Sequence, residues 1–473
     1  MNNSRNIILK PENIRKTGRL TVIKKVSMKV ADLWVLGFAL LSVSCGGGQD
    51  TPVDTNHLAE FHQKYFADRD EPLKVGLRLF VDYSTCCALG QNSRFFQEVS
   101  ASLVDRTTDY YAVQGPNIEK VEIEANGGVY TLLRNISEVN YAELARAAGM
   151  AADGNCEAVM LTDAEYYTPS IAKGHDNDPY LAPAFKEWIL KGHDIHIISE
   201  PYIESYKGNT YNKKRFYILF TDDRMPNNIY SRITRTVDLR QYPEIDEFHI
   251  SASHPVIRSD RGCSIQNELL QSKCVGYGDF EIQDWQGCDW RTIEDCVIYA
   301  PDTLTGAALP NGDRIIRLGV SANSFGCYRI NDLELKVYDI NAGYNDFYNS
   351  KETGKPTQGT VPDIAELDGF MLIDKDEFNR HSLIDIYFNQ MYFDPSLLIG
   401  KPYNYLKLDI CVNGIEEIFS RHEDKFVFES IGNPGMKNVS VASSIRQCLA
   451  DSEVIKKMMG QVIYSIYIKS EQK

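Results

Sequence analysis

Through the first half of the chain, short apolar runs that stop abruptly at a polar residue alternate with longer segments whose apolar positions recur every three or four residues. The run at residues 77–81 stops at Asp82, and the run at 158–161 stops at Thr162-Asp163. Four to six β-prone residues closed by a polar group read as a buried parallel strand that delivers the group to the sheet's C-terminal edge. Between these runs, residues 92–106 place Phe95, Phe96, Val99, Leu103 and Val104 at helical spacing, and 141–152 and 181–191 also read as helices. Further strands are expected at 110–113, 195–198, 216–221 and 247–250, with a hairpin across Asn126-Gly127. Strand and helix in alternation predict an α/β domain over residues 73–258, with a doubly wound, mostly parallel sheet.

After residue 259 the pattern changes. Strand-like runs at 314–320, 333–338, 383–388, 406–412, 425–429 and 462–468 are separated by turn signals such as Asn311-Gly312 and Asn413-Gly414, with one amphipathic helix at 443–459. This texture predicts a C-terminal β-sandwich region. The stretch 349–362 reads as a linker dividing it into subdomains at 259–350 and 351–473, or as one long exposed loop.

The N-terminus follows different rules. Residues 28–45 combine a lysine, an apolar core of secretory length and a small residue before Cys45, the pattern of a bacterial lipoprotein signal, with Met28 an alternative start. On this reading residues 1–44 are a signal region, Cys45 is lipidated, and 45–72 are anchor and tether. The expected location is the cell envelope, as an outer-membrane lipoprotein. Setting 1–44 aside, with eight Lys/Arg and two Asp/Glu, moves the formal charge from −15 to −21. A chain this acidic lacks the basic face that nucleic acid or an anionic membrane surface requires, so membrane contact is expected only through the lipid. Ten cysteines remain besides Cys45, and Cys263, Cys274, Cys288, Cys296 and Cys327 crowd one region. They read as two disulfides or as buried thiols, since no CxxC spacing or histidine pair supports zinc.

The chemistry concentrates where the first strand feeds the first helix. Asp82, Ser84 and Cys86 occupy that turn, and Thr162-Asp163 ends the neighbouring strand. The spacing resembles the DxSxS motif of von Willebrand factor A domains, and Thr162-Asp163 resembles the later TD(G) motif, with Cys86 at the second serine and Ala164 at the glycine. The resemblance covers roughly residues 74–253. It implies a metal-ion-dependent adhesion site in which Asp82, Ser84 and Asp163, with Ser137 the nearest candidate for the middle threonine, hold Mg²⁺ or Ca²⁺. Such hard cations take oxygen ligands, and a thiol at Cys86 is a poor partner for them. The implied function is binding of a protein or glycan ligand.

Plainer and rival readings stand beside this one. Asp82 and Asp163 are equally read as caps of the turns that follow, with Ser84 satisfying turn amides. Asp163 with Glu165 suggests the paired carboxylates of an exported hydrolase, and a structural envelope subunit with a vestigial site is a third reading. His193 and His196, three apart beside a strand, fall on opposite faces and read as packing. Asp222-Asp223 reads as a solvated turn or as a further acidic pair at a strand end.

Overall fold

The computed structural model describes residues 55–66, 73–136, 142–166, 176–251, 281–287, 293–300, 314–319, 324–325, 327–356, 361–381, 383–389, 391–392, 403–431 and 435–472. These belong to one compact unit, Asp54–Lys473.

The apolar runs form the strands they predict: β1 (Lys74–Asp82), β2 (Thr107–Gln114), β4 (Cys156–Thr162), β5 (Asp194–Tyr206), β6 (Asn209–Thr221) and β7 (Asp246–Ile250), with β3 (Asn117–Val121) added. They make a seven-stranded sheet in the order β3-β2-β1-β4-β6-β5-β7. β1 pairs in parallel with β2 and β4, while β3 and the β6, β5, β7 flank pair antiparallel, so that β2, β1, β4 and β5 run one way. The molecule is therefore α/β with a mixed sheet, parallel at its centre. Starting from β1, the chain moves outward to β2 and β3 and then returns to β4 on the other side. In open α/β sheets such a reversal of strand order opens a crevice at the strands' C-terminal ends.

Helices cover both faces because strand side chains alternate. Leu79 and Val81 pack with α3 (Arg94–Val104), α4 (Val129–Arg134) and α7 (Ile229–Thr236). Phe80 points the other way, with Met160 and Ile218, toward α5 (Leu144–Ala152) and α6 (Ala182–Leu190). Each fully buried side chain of this kind contributes about 1.5–3 kcal/mol. The second cluster continues into the C-terminal half through Leu408, Phe426 and Ile445.

That half carries further sheets. Its large sheet centres on Tyr328–Asp339, Tyr403–Glu417 and Val462–Gln472, paired antiparallel, and Arg314–Gly319, Met371–Ile373 and Leu383–Phe388 form a smaller one. The helical pattern at 443–459 is realised as two helices, Ser440–Leu449 and Ser452–Met458, the second capped by Asp451.

Three expectations need correction. The Asn126-Gly127 signal makes no hairpin: Asn126 ends a 3-10 turn that Gly127 closes at φ 76°, and the hairpin lies one turn earlier, between β2 and β3. The tether expected over 45–72 is interrupted by α1 (Thr55–Tyr65), whose Leu58 and Phe61 are buried, Phe61 against Tyr344 and Phe347. The linker expected at 349–362 begins inside the helix Asn341–Thr353, which ends at Gly354 in the left-handed conformation.

Candidate functional site

β1 ends at Asp82 and β4 at Thr162, side by side at the reversal point, and the short helix α2 (Thr85–Gly90) starts immediately beyond Ser84. Asp82, Cys86 and Asp163 are buried there with their ligand atoms within 4.8 Å of one another. Ser84 Oγ lies 3.3 Å from Cys86 Sγ, so Ser84 also joins the group. Ser137 lies outside the described residues.

Asp82 is 2 % exposed, and only one of its oxygens is well served. Oδ2 accepts from Thr162 Oγ1 at 2.8 Å, whereas Oδ1 is buried without a hydrogen bond of normal geometry. Burial, and then the nearby Asp163, push its carboxyl well above the ordinary range, while Thr162, Ser84 and the Asp163 amide pull weakly the other way. Capping does not account for this. The N-cap of α2, Ser84, makes no side-chain cap hydrogen bond, and the partners of Asp82 beyond Ser84 lie on the β4 side, at Thr162 and the Asp163 amide, so neither residue caps the helix as the plainer reading required. Asp163 does serve its own turn, accepting from the Glu165 amide at 2.9 Å.

Between them stands a strained residue. Ala164 has φ 58°, one of two non-glycine residues among those described with positive φ. An L side chain in this region costs about 1–2 kcal/mol. The conformation is held from outside: Tyr180 donates to the Ala164 carbonyl at 3.0 Å, Ser440 donates to the same oxygen at 3.4 Å, and Thr162 Oγ1 accepts from the Ala164 amide at 2.9 Å.

The surroundings of Cys86 disfavour a thiolate. Burial pushes its thiol well up, the neighbouring Cys87 and carboxylates adding to the effect, so it remains protonated. It and Cys87 are free thiols 3.5 Å apart. Cys327 is also free and buried, its thiol donating to the Ser251 carbonyl; the side chains of the other four crowded cysteines lie outside the described residues.

Around this core lies a second ring of charge that the linear pattern did not reveal. The antiparallel register sets Arg215 opposite Glu200 and Lys213 opposite Tyr202. Arg215 Nη1 donates to Glu200 at 2.6 Å and Nε to the Cys86 carbonyl at 2.8 Å, fixing the turn that carries Cys86. Lys213 pairs with Glu165, whose carboxylate also accepts from the Ile431 amide at 2.9 Å. Burial still holds Glu165 at about 7. Glu165 is thus committed to joining the β4 loop to the C-terminal half. The available signal was the basic run Lys213-Lys214-Arg215 leading directly into the apolar stretch of β6.

Asp222 is not part of a solvated turn, whereas Asp223 stands half-buried at the start of the turn that follows. Asp222 is 1 % exposed and accepts from His193 at 3.1 Å and from Arg224 Nε and Nη2 at 2.9 and 2.8 Å. These groups belong to the opposite edge of the sheet, because β6 runs antiparallel to β4.

Chemically, the switch-point arrangement is a buried pair of aspartates in excess of its local hydrogen bonds. The unserved Asp82 oxygen, the Asp163 carboxylate and the Ser84 hydroxyl fit a hard divalent ion, with the protonated Cys86 thiol a bystander. The class so defined is an α/β protein with an acidic cluster at its topological switch point. No family model, curated protein or solved structure matches this chain.

Proposed function

We propose that this chain is an outer-membrane lipoprotein of the cell envelope, anchored through Cys45, that binds a protein or glycan ligand at the C-terminal edge of a von Willebrand factor A-like domain. The largely antiparallel C-terminal half serves as its β-sandwich-like support. The reading rests on one observation: a buried aspartate with an unserved oxygen, repelled by a second aspartate, at the end of the sheet where open α/β folds take ligands.

Asp82, Asp163 and Ser84 would hold Mg²⁺ or Ca²⁺, which supplies Lewis acidity toward a carboxylate or hydroxyl of the ligand. The protein's own groups do the rest. Arg215 and Lys213 pair with Glu200 and Glu165, and Arg215 fixes the α2 turn through the Cys86 carbonyl. A hydrolytic role for Asp163 and Glu165 gains nothing from this geometry, since Glu165 is engaged on two sides.

Binding to arrays of glycans and of extracellular matrix proteins, with and without EDTA, tests the reading. Retention that needs the cation and disappears in Asp82→Ala supports it; binding unchanged in EDTA and in the variant contradicts it. Separately, Cys45→Ser should move the protein from the membrane to the aqueous fraction, and a variant still in the membrane would count against lipid anchoring.

A further inference from the structure

At the opposite edge of the same sheet, where β5 begins and β6 ends, three side chains unrelated to the Asp82 cluster converge. His196 and His249 are directly opposed residues of β5 and β7. A cross-strand pair shares one face of the sheet, and these two rings stack with centroids 4.2 Å apart, 3° from parallel. Asp223 follows two residues beyond Thr221, which opposes Asp194 at the start of β5, so its carboxylate arrives at the same corner. Both of its oxygens lie 3.1 Å from His196 Nε2, and Oδ2 lies 3.4 Å from His249 Nε2. The donor atoms of the three residues all fall within 4.8 Å of one another.

The surroundings hold these donors in place. His196 Nδ1 faces Glu247 Oε1 at 3.6 Å, and Tyr230 stacks on the His196 ring at 3.6 Å. His249 Nε2 also approaches Asp194 Oδ1 at 3.0 Å, and the other oxygen of Asp194 accepts from the Asp223 amide at 2.8 Å. Asn228 reaches Asp223 Oδ1 at 3.4 Å. Glu247 lies on the Nδ1 side of the His196 ring, away from Asp223, the side from which a carboxylate can support a metal-ligating histidine. The corner also opens to solvent, since the side chains of His249 and Asp223 are 25 % and 21 % exposed.

We propose that His196, Asp223 and His249 form a second metal centre, for a borderline transition ion of the Zn²⁺ or Co²⁺ class. Two imidazoles and one carboxylate suit such ions far better than Mg²⁺ or Ca²⁺. Three protein donors at a partly exposed corner leave a coordination position for water or a small ligand, as in sites that act on something and unlike closed four-ligand structural sites. The centre differs from the aspartate cluster in place and in donor chemistry, and it stands whether or not that cluster binds a cation.

The test is titration of Co²⁺ into the chelator-stripped full chain, followed by visible absorption, with metal content measured after dialysis against Zn²⁺. One equivalent per chain is expected. His249→Ala and Asp223→Asn should each weaken it at least about 10-fold, Glu247→Gln, behind the imidazole, by about 10-fold, and Asp82→Asn should leave it unchanged. His249 is partly exposed, and Glu247→Gln preserves the ligands, so the pair separates loss of the centre from loss of the fold. No stoichiometric Co²⁺ in the wild type, equal affinity in His249→Ala, or loss in Asp82→Asn would each overturn the proposal, the first by showing a hydrogen-bonded histidine knot and nothing more.

Discussion

Asp82 and Asp222 sit at opposite edges of one sheet, both with little solvent exposure, and their carboxyls are pushed in opposite directions. Burial acts to raise Asp222, but hydrogen bonds from His193 and Arg224 outweigh it and hold the group well below the ordinary range. At Asp82 burial is reinforced by Asp163, and one oxygen goes unserved, so the group is held well above that range. Burial pushes both carboxyls up; the partners at Asp222 reverse the sign and the second aspartate at Asp82 reinforces it. Folding alone accounts for Asp222, a charge that arrives with its partners. It does not account for Asp82, which the isolated chain carries at a cost to stability, and residues of that kind are the expected signature of a site whose partner comes from outside.

Removing each aspartate should therefore have opposite effects. Asp222→Ala strips the partner from His193 and from the partly exposed Arg224 and should lower stability by about 2–3 kcal/mol, read from urea unfolding at pH 7. A loss below about 1 kcal/mol would mean the network is ornamental. Because the folded-state pKa of Asp222 is depressed, its contribution is present above its unfolded value near 4 and fades as pH falls through the lower folded value. The variant and the parent should converge in strong acid.

Asp82→Asn should do the reverse, raising stability without divalent ions by about 1–2 kcal/mol at pH 8, since it removes a buried charge with an unserved oxygen. The sign follows from a raised folded-state pKa: the favourable term is present below the unfolded value near 4 and is lost as pH rises through the folded value. The gap between variant and parent should be near zero at pH 4 and widen toward neutrality. A variant less stable than the parent at pH 8 would show Asp82 to be structural. The smallest effect is expected at Ala164→Gly, where relief of about 1–2 kcal/mol of left-handed strain is offset by about 0.8 kcal/mol for the lost buried methyl. The net gain should be below about 1 kcal/mol, and a clear loss would locate the strain elsewhere.

What was legible in the sequence follows the same physical divide. β1, β4, β6, α3 and α6 appear where apolar runs or helical spacing placed them, because each buries a face whose period is written locally. The convergence of Asp82 with Asp163 was legible too, since both end strands whose parallel pairing could be anticipated. Arg215 against Glu200 and His196 against His249 were not, because they depend on the register of antiparallel pairs, which no local pattern states. α1 was hidden because its few apolar residues, Leu58 and Phe61, acquire meaning only against Tyr344 and Phe347, far along the chain.

The central claim, that the switch-point aspartates are arranged for a cation, is tested most directly by calorimetric titration of Mg²⁺, Ca²⁺ and Mn²⁺ into the purified protein beside Asp82→Ala. The account predicts saturable heat with at least one of the three ions, lost in the variant. Silence in both proteins, or equal heat in both, would contradict it and leave Asp82 a buried acid whose cost to the fold has no counterpart.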